Sequence, residues 1–325
     1  MNYIGRSISN DLLNLFKTDV KNPSKNGKLG VIAEIVRQDP YLDFEMRGDC
    51  VILYYRGGKL LTIRGIDDYE TLAEEYYLSK DEVRLSFNIK NPLEYISKAK
   101  FIIDKHEAAQ IECSDNKKRL VSKLGEKEIQ QRVVYENNLS INAEETEYFI
   151  ADVEWADNSV LGGRADIVAF RWERMNHGKR SLKLVLIEVK QGDGAISGKN
   201  GLKKHYEDFL KFKANKEVVT TVGQDMLSIL KQKYQLGLIK GLDKLFIRGD
   251  KHIEPIIEQE PDFLFLLSNY HHFSSKLNTE CDKLPDDVRF IISSFMGYGL
   301  YEAFIKTKKQ LKQMFPFVFD KNKTK

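Results

Sequence analysis

The segment Leu182-Lys-Leu-Val-Leu-Ile-Glu-Val-Lys190 constrains the fold more than any other part of the chain. Leu184–Ile187 is continuously apolar, the pattern of a strand covered on both faces. The run then ends in two ionisable residues. Ionised groups are rarely buried unless they are paired or bind a metal, so Glu188 and Lys190 need a partner. Side chains alternate along a strand, which puts Glu188 and Lys190 on one face and Ile187 and Val189 on the other. Gly192 and Gly194 follow at once, ending the strand and leaving room beside it.

The neighbours of this strand are legible from the same periodicity. Lys118–Asn137 has a helical pattern, Tyr148–Trp155 and Ala165–Trp172 read as strands, and Gly201–Lys213 is an amphipathic helix. Phe263–Leu267 and Arg289–Phe295 read as further strands. Ala165–Phe170 carries one carboxylate, Asp166, near its start. If this strand pairs with Leu182–Val189 as a hairpin, Asp166 lies opposite Glu188 and Lys190, about 4.8 Å away. Two carboxylates that close repel strongly unless a cation lies between them, and oxygen ligands suit Mg²⁺ or Mn²⁺. A bound ion of that kind polarises a phosphoryl oxygen and activates water, while the lysine orients that water or neutralises developing charge.

Further candidates flank this set. Glu126 and Glu128 open the upstream helix. Glu126 shares a stripe with Ile129 and Val133, whereas Glu128 shares one with Arg132 and Glu136, a solvent-type face; Glu126 is therefore the preferred fourth ligand. Its bland reading is a first-turn glutamate favoured by the helix dipole. Downstream, Lys203, Lys204 and His205 are candidate nucleic-acid contacts. His205 borders the apolar stripe of Leu202, Phe209 and Phe212, so a core histidine is the competing reading. Lys179–Lys216 holds ten Lys/Arg against four Asp/Glu, a basic flank suited to phosphates.

Asp166 with Glu188-Val189-Lys190, framed by a glutamate helix and an amphipathic helix, resembles the PD-(D/E)XK nuclease superfamily of restriction, repair and defence nucleases. The resemblance covers about residues 118 to 212. It implies a restriction-endonuclease-like α/β core, a central mixed sheet flanked by helices. It also implies Mg²⁺- or Mn²⁺-dependent hydrolysis of DNA, with RNA kept open as a substrate. Asp166 and Glu188 would bind metal, Lys190 would assist the water, Glu126 would supply the helix acid, and His205 stands where relatives often carry glutamine. Residue 165 is Ala rather than the signature proline. The alternative is an inactive nuclease-fold module that binds nucleic acid or a protein partner. Asp166, Glu188 and Lys190 occurring together favour the enzyme. No G-x-x-x-x-G-K-[ST] phosphate loop and no G-x-S-x-G elbow occurs.

The expected organisation is an N-terminal α+β accessory domain at 1–112 and a nuclease-like domain at 113–325. In the first, helices at Leu12–Phe16 and Val31–Arg37 precede a three-stranded meander, Leu42–Arg47, Cys50–Tyr55 and Lys59–Ile63. Tyr54, Tyr55 and Arg56 could stack on bases, although aromatics in strands more often pack a core. Residues 66–82 hold seven acids against one lysine, and residues 306–325 hold seven lysines against one aspartate. A net charge of +3 excludes a general polycation. The three cysteines fit neither a disulfide framework nor zinc. With no signal peptide or membrane span read, the expected location is the cytoplasm. Cutting both strands of a duplex with one centre per chain would favour a homodimer. The pair His271-His272 is read as structural.

Overall fold

The computed structural model describes residues 3–19, 21–71, 85–113, 125–160, 162–173, 180–248, 250–268, 275–293 and 297–314. His271-His272, the linker 174–179, most of the acidic stretch, residues 118–124 and the end of the basic tail lie outside them. The chain divides into two compact units, one of 6–135 with 232–238, the other of 1–5, 136–231 and 239–325. The division falls at Tyr135/Glu136, inside a helix, where the sequence expectation set it at 112/113.

The smaller unit begins with α1 (Asn10–Phe16), whose first turn is capped by Ser9 Oγ accepting from the Leu12 N–H at 3.2 Å. Then come α2 (Gly30–Gln38) and an antiparallel meander of β1 (Leu42–Met46), β2 (Val51–Tyr55), β3 (Gly58–Ile63) and β4 (Tyr69–Thr71). The meander thus has four strands rather than three, the last drawn from the acidic stretch. Phe16 of α1 meets Phe44 of β1 edge-on at 5.1 Å. Helix α3 (Pro92–Cys113) starts at a proline, with Asn91 Oδ1 accepting from the Glu94 N–H. Helix α4 (Glu126–Asn138) crosses into the other unit.

The aromatics proposed for base stacking are packed instead. Tyr54 is buried with Cys50 and Ile52. The Tyr55 hydroxyl donates to Asp104, and Lys100 sits over its ring. Arg56 adopts φ +47° in the β2–β3 turn and bonds Asp104 and Glu128. The turn therefore closes onto its own unit.

The larger unit is an α/β layer structure on a mixed seven-stranded sheet. β5 (Tyr148–Ala156), β6 (Arg164–Arg171) and β7 (Ser181–Gln191) form an antiparallel meander. Helices α5 (Leu202–Ala214), α6 (Lys216–Gln235) and the short α7 (Asp243–Phe246) follow. Next come a two-strand ribbon, β8 (Ile247–Arg248) and β9 (Lys251–His252), and β10 (Ile256–Ile257), which adds to the start of β7. β11 (Asp262–Ser268) lies parallel to β7 along seven paired positions, and after α8 (Ser275–Cys281) β12 (Arg289–Ile292) lies parallel to β11. β13 (Lys306–Thr307) and α9 (Lys308–Met314) close the order β13-β12-β11-β7-β6-β5.

β7 is therefore central, as its apolar run requires. Leu184–Ile187 are fully buried, each contributing about 1.5–3 kcal/mol. That gain offsets the several kcal/mol per ion that burying Glu188 and Lys190 costs. Phe209 of α5 stacks on Phe263 of β11 at 4.9 Å, seating the helix on the sheet. No helix among the described residues is long and apolar enough to cross a membrane.

Candidate active site

The pairing of β6 with β7 runs through Val168↔Leu186 and Ile167↔Ile187. One further step of that register sets Asp166 opposite Glu188, and cross-strand partners share a face. Asp166 Oδ2 accepts the Val189 backbone N–H at 2.7 Å, which ties the carboxylate to the next strand. Lys190 Nζ donates to Glu188 Oε1 at 2.6 Å. Asp166, Glu188 and Lys190 are 5%, 3% and 5% exposed, so their mutual charges act with little screening. Gly192 turns the chain out of β7 with φ +63°, a conformation that favours glycine. A Cβ built at Gly194 would meet nothing within 4 Å, so open space lies next to this end of the strand.

Electrostatics separates the groups. Burial pushes the Asp166 carboxyl up to about 8, and repulsion from Glu188 adds to it; the Val189 N–H and Lys190 oppose. His205, in the first turn of α5, brings Nε2 to 3.0 Å from Glu188 Oε1 without hydrogen-bond geometry. Burial lowers its pKa to about 4, Lys190 and Arg164 add to the shift, and a bond to the Asn200 backbone opposes it. The ring is thus neutral across the physiological range. It is neither a spectator in the core nor a surface phosphate contact.

The remaining candidates sit elsewhere. Lys203 and Lys204 lie on the exposed side of α5, paired along the helix with Glu207 and Asp208. Glu126 is half-buried in the first turn of α4, in the smaller unit. Glu128 corrects its expected solvent face: it is buried, 3.4 Å from Arg56 and 3.3 Å from Arg132. The physical reason is the β2–β3 turn, which closes over this stripe, the Gly57 N–H donating to Gln131 Oε1 at 2.6 Å.

One acid escaped the sequence reading. Glu154 lies on β5 between the pairs Val153↔Ile167 and Trp155↔Ala165, level with Asp166, and its charge raises the Asp166 pKa further. It holds φ +51°, one of two positive values at described non-glycine residues. The signal was available. Asp152-Val-Glu154 puts acids into an apolar strand, the same anomaly that marked Glu188.

Among the described residues no group of three or more His, Cys, Asp and Glu side chains is gathered as a metal cage. Mg²⁺ is ordinarily held by one or two carboxylates plus water and substrate oxygens, and two buried, mutually repelling carboxylates fit that mode. No protein-family model matches the sequence, and neither a curated protein nor a solved structure is detectably similar to the chain.

Proposed function

We propose that the chain is a metal-dependent nuclease of the PD-(D/E)XK kind, an endonuclease that hydrolyses phosphodiester bonds of DNA in the cytoplasm. The observation that carries this reading is the buried Asp166–Glu188 pair with Lys190 bonded to Glu188. Supporting it is the chain order of α4, β5–β7, α5 and β11, the order expected of a restriction-endonuclease-like core.

A Mg²⁺ or Mn²⁺ ion, when bound, would polarise a phosphoryl oxygen and lower the pKa of a water. Asp166 and Glu188 would hold it. The Val189 N–H fixes the direction of the Asp166 carboxylate. Glu188 tethers the Lys190 ammonium inside the site, where its charge orients the attacking water and neutralises charge growing on the phosphate. Lys203 and Lys204, exposed on α5, would contact the backbone of the nucleic acid without reading sequence. Glu126 is the proposed helix acid, and duplex cleavage would use a homodimer.

The test is purified protein with plasmid, single-stranded DNA and RNA, each with Mg²⁺, Mn²⁺ or EDTA, beside Asp166→Ala and Lys190→Ala. Cutting is expected with metal and wild-type protein alone. Cleavage that persists in EDTA or in both variants sinks the mechanism. Metal binding without cleavage of any substrate indicates a binding module.

A further inference from the structure

We infer that His205 is a metal ligand of the proposed centre, offering its Nε2 lone pair beside Glu188 Oε1, so that the site prefers a first-row transition ion to Mg²⁺. The inference rests on the nuclease reading of Asp166 and Glu188. Its starting point is the ring's tautomer. His205 bonds the backbone of Asn200 in a way that favours the protonated ring, and Nε2 makes no hydrogen bond. The bond to Asn200 therefore comes from Nδ1 as donor. The neutral ring then presents Nε2 as a bare acceptor.

That acceptor lies 3.0 Å from Glu188 Oε1, itself an acceptor. Two acceptors at this separation repel unless a cation serves both. Lys190 serves Glu188 Oε1, but His205 Nε2 has no hydrogen-bond donor. Two adjacent ligands of an octahedral ion, each about 2.1 Å from it, stand about 3.0 Å apart. The observed separation is that of a pre-set ligand edge. α5 fixes it from the far side of the site: Gly201 caps the helix, Phe209 stacks on Phe263, and Phe212 is fully buried. Nitrogen in the ligand set then decides the ion. Mg²⁺ favours oxygen ligands, whereas first-row transition ions accept imidazole and bind mixed N/O sites more tightly.

The test is pulsed EPR on full-length protein loaded with Mn²⁺, with and without ¹⁵N-histidine labelling, alongside Mn²⁺ and Mg²⁺ titrations. A directly bonded histidine nitrogen is expected in the wild type and absent in His205→Gln. That variant should lose about tenfold or more in Mn²⁺ affinity and much less in Mg²⁺ affinity. His205→Ala and His205→Asn serve if the glutamine variant does not fold. Mn²⁺ binding that depends on Asp166 but shows no nitrogen coupling, or coupling that survives loss of His205, overturns the His205 assignment and leaves the nuclease reading intact. Failure of the wild type to bind Mn²⁺ overturns both.

Discussion

Each unit buries a lysine against a glutamate. Lys190 and Glu188 in the larger, and Lys233 and Glu45 in the smaller, are both 2.6 Å apart. Each pair also has an aspartate beside it whose pKa is raised first by burial, Asp166 in one case and Asp43 in the other. The resemblance ends at what surrounds them. Lys233 and Glu45 are 2% and 0% exposed, and Glu45 lies 3.6 Å from Arg47 as well. The Asp43 side chain also bonds Glu45. Around Lys233, Gln232 clasps the Ile8 backbone at both N–H and C=O, and Arg37 donates to Leu236 O. This lysine fastens a late segment of chain to an early one. Lys190, by contrast, stands two residues from its partner, beside open space at Gly194 and a histidine nitrogen with no hydrogen bond. A buried ion pair is thus no sign of function by itself. Access, and an acceptor left unmet, are what separate a site from a lock.

The largest effects come from removing each lysine. Lys233→Met should cost about 3–5 kcal/mol in urea denaturation, because it strands Glu45. It should leave Mn²⁺ affinity unchanged where the protein still folds, and adding Glu45→Gln should recover part of the loss. Lys190→Met should cost less stability than Lys233→Met, yet reduce cleavage by about 10²–10³-fold. Equal stability losses would break the comparison.

Next in size is a pH effect on the metal-free protein. The Asp166 pKa rises from 3.8 to about 8 on folding, so the native state holds a proton that the unfolded chain releases. The contribution is fully present below the unfolded value and lost as pH rises through the native one. Between about pH 4 and 8, in chelator, stability should fall by at most about 1.4 kcal/mol per pH unit from this group. Asp166→Asn should flatten that slope. A slope unchanged in the variant would show that Asp166 is not the buried proton carrier.

Two glycines sharpen the comparison at the level of backbone. Gly162 has φ +73°, and a Cβ there would lie 2.1 Å from the Asp208 carbonyl oxygen of α5. Gly57 has φ +81°, and a Cβ would lie 2.4 Å from Lys127 Cβ of α4. Alanine at either should cost about 1–3 kcal/mol in thermal or urea unfolding. Only Gly162→Ala, which displaces the helix carrying His205, should also weaken Mn²⁺ binding.

The smallest effect separates the two glutamates of α4. Glu128→Gln should lower stability by about 1 kcal/mol by loosening Arg56 and Arg132, with little change in cleavage. Glu126→Gln should do the reverse, slowing cleavage about tenfold. Interchanged outcomes would make Glu128 the helix acid.

Much of the larger unit was legible in residue order. A continuous apolar run can be satisfied only in a covered strand, and strict alternation sets Glu188 and Lys190 on one face whatever the rest of the chain does. The Asp166 partnership followed from a hairpin and one register. Four things depended on contacts between distant segments, which local periodicity does not encode. Glu128 is buried because a turn 70 residues earlier closes on it. Lys233 finds Glu45 across 188 residues. Glu154 comes level with Asp166 through an irregular β5–β6 register. The unbonded nitrogen of His205 meets Glu188 because α5 packs back over the sheet, bringing together two residues that the sequence shows only as near neighbours. The sequence determined the chemical types and the strand that bears them; tertiary packing decided which of those groups were left with an unmet electrostatic demand.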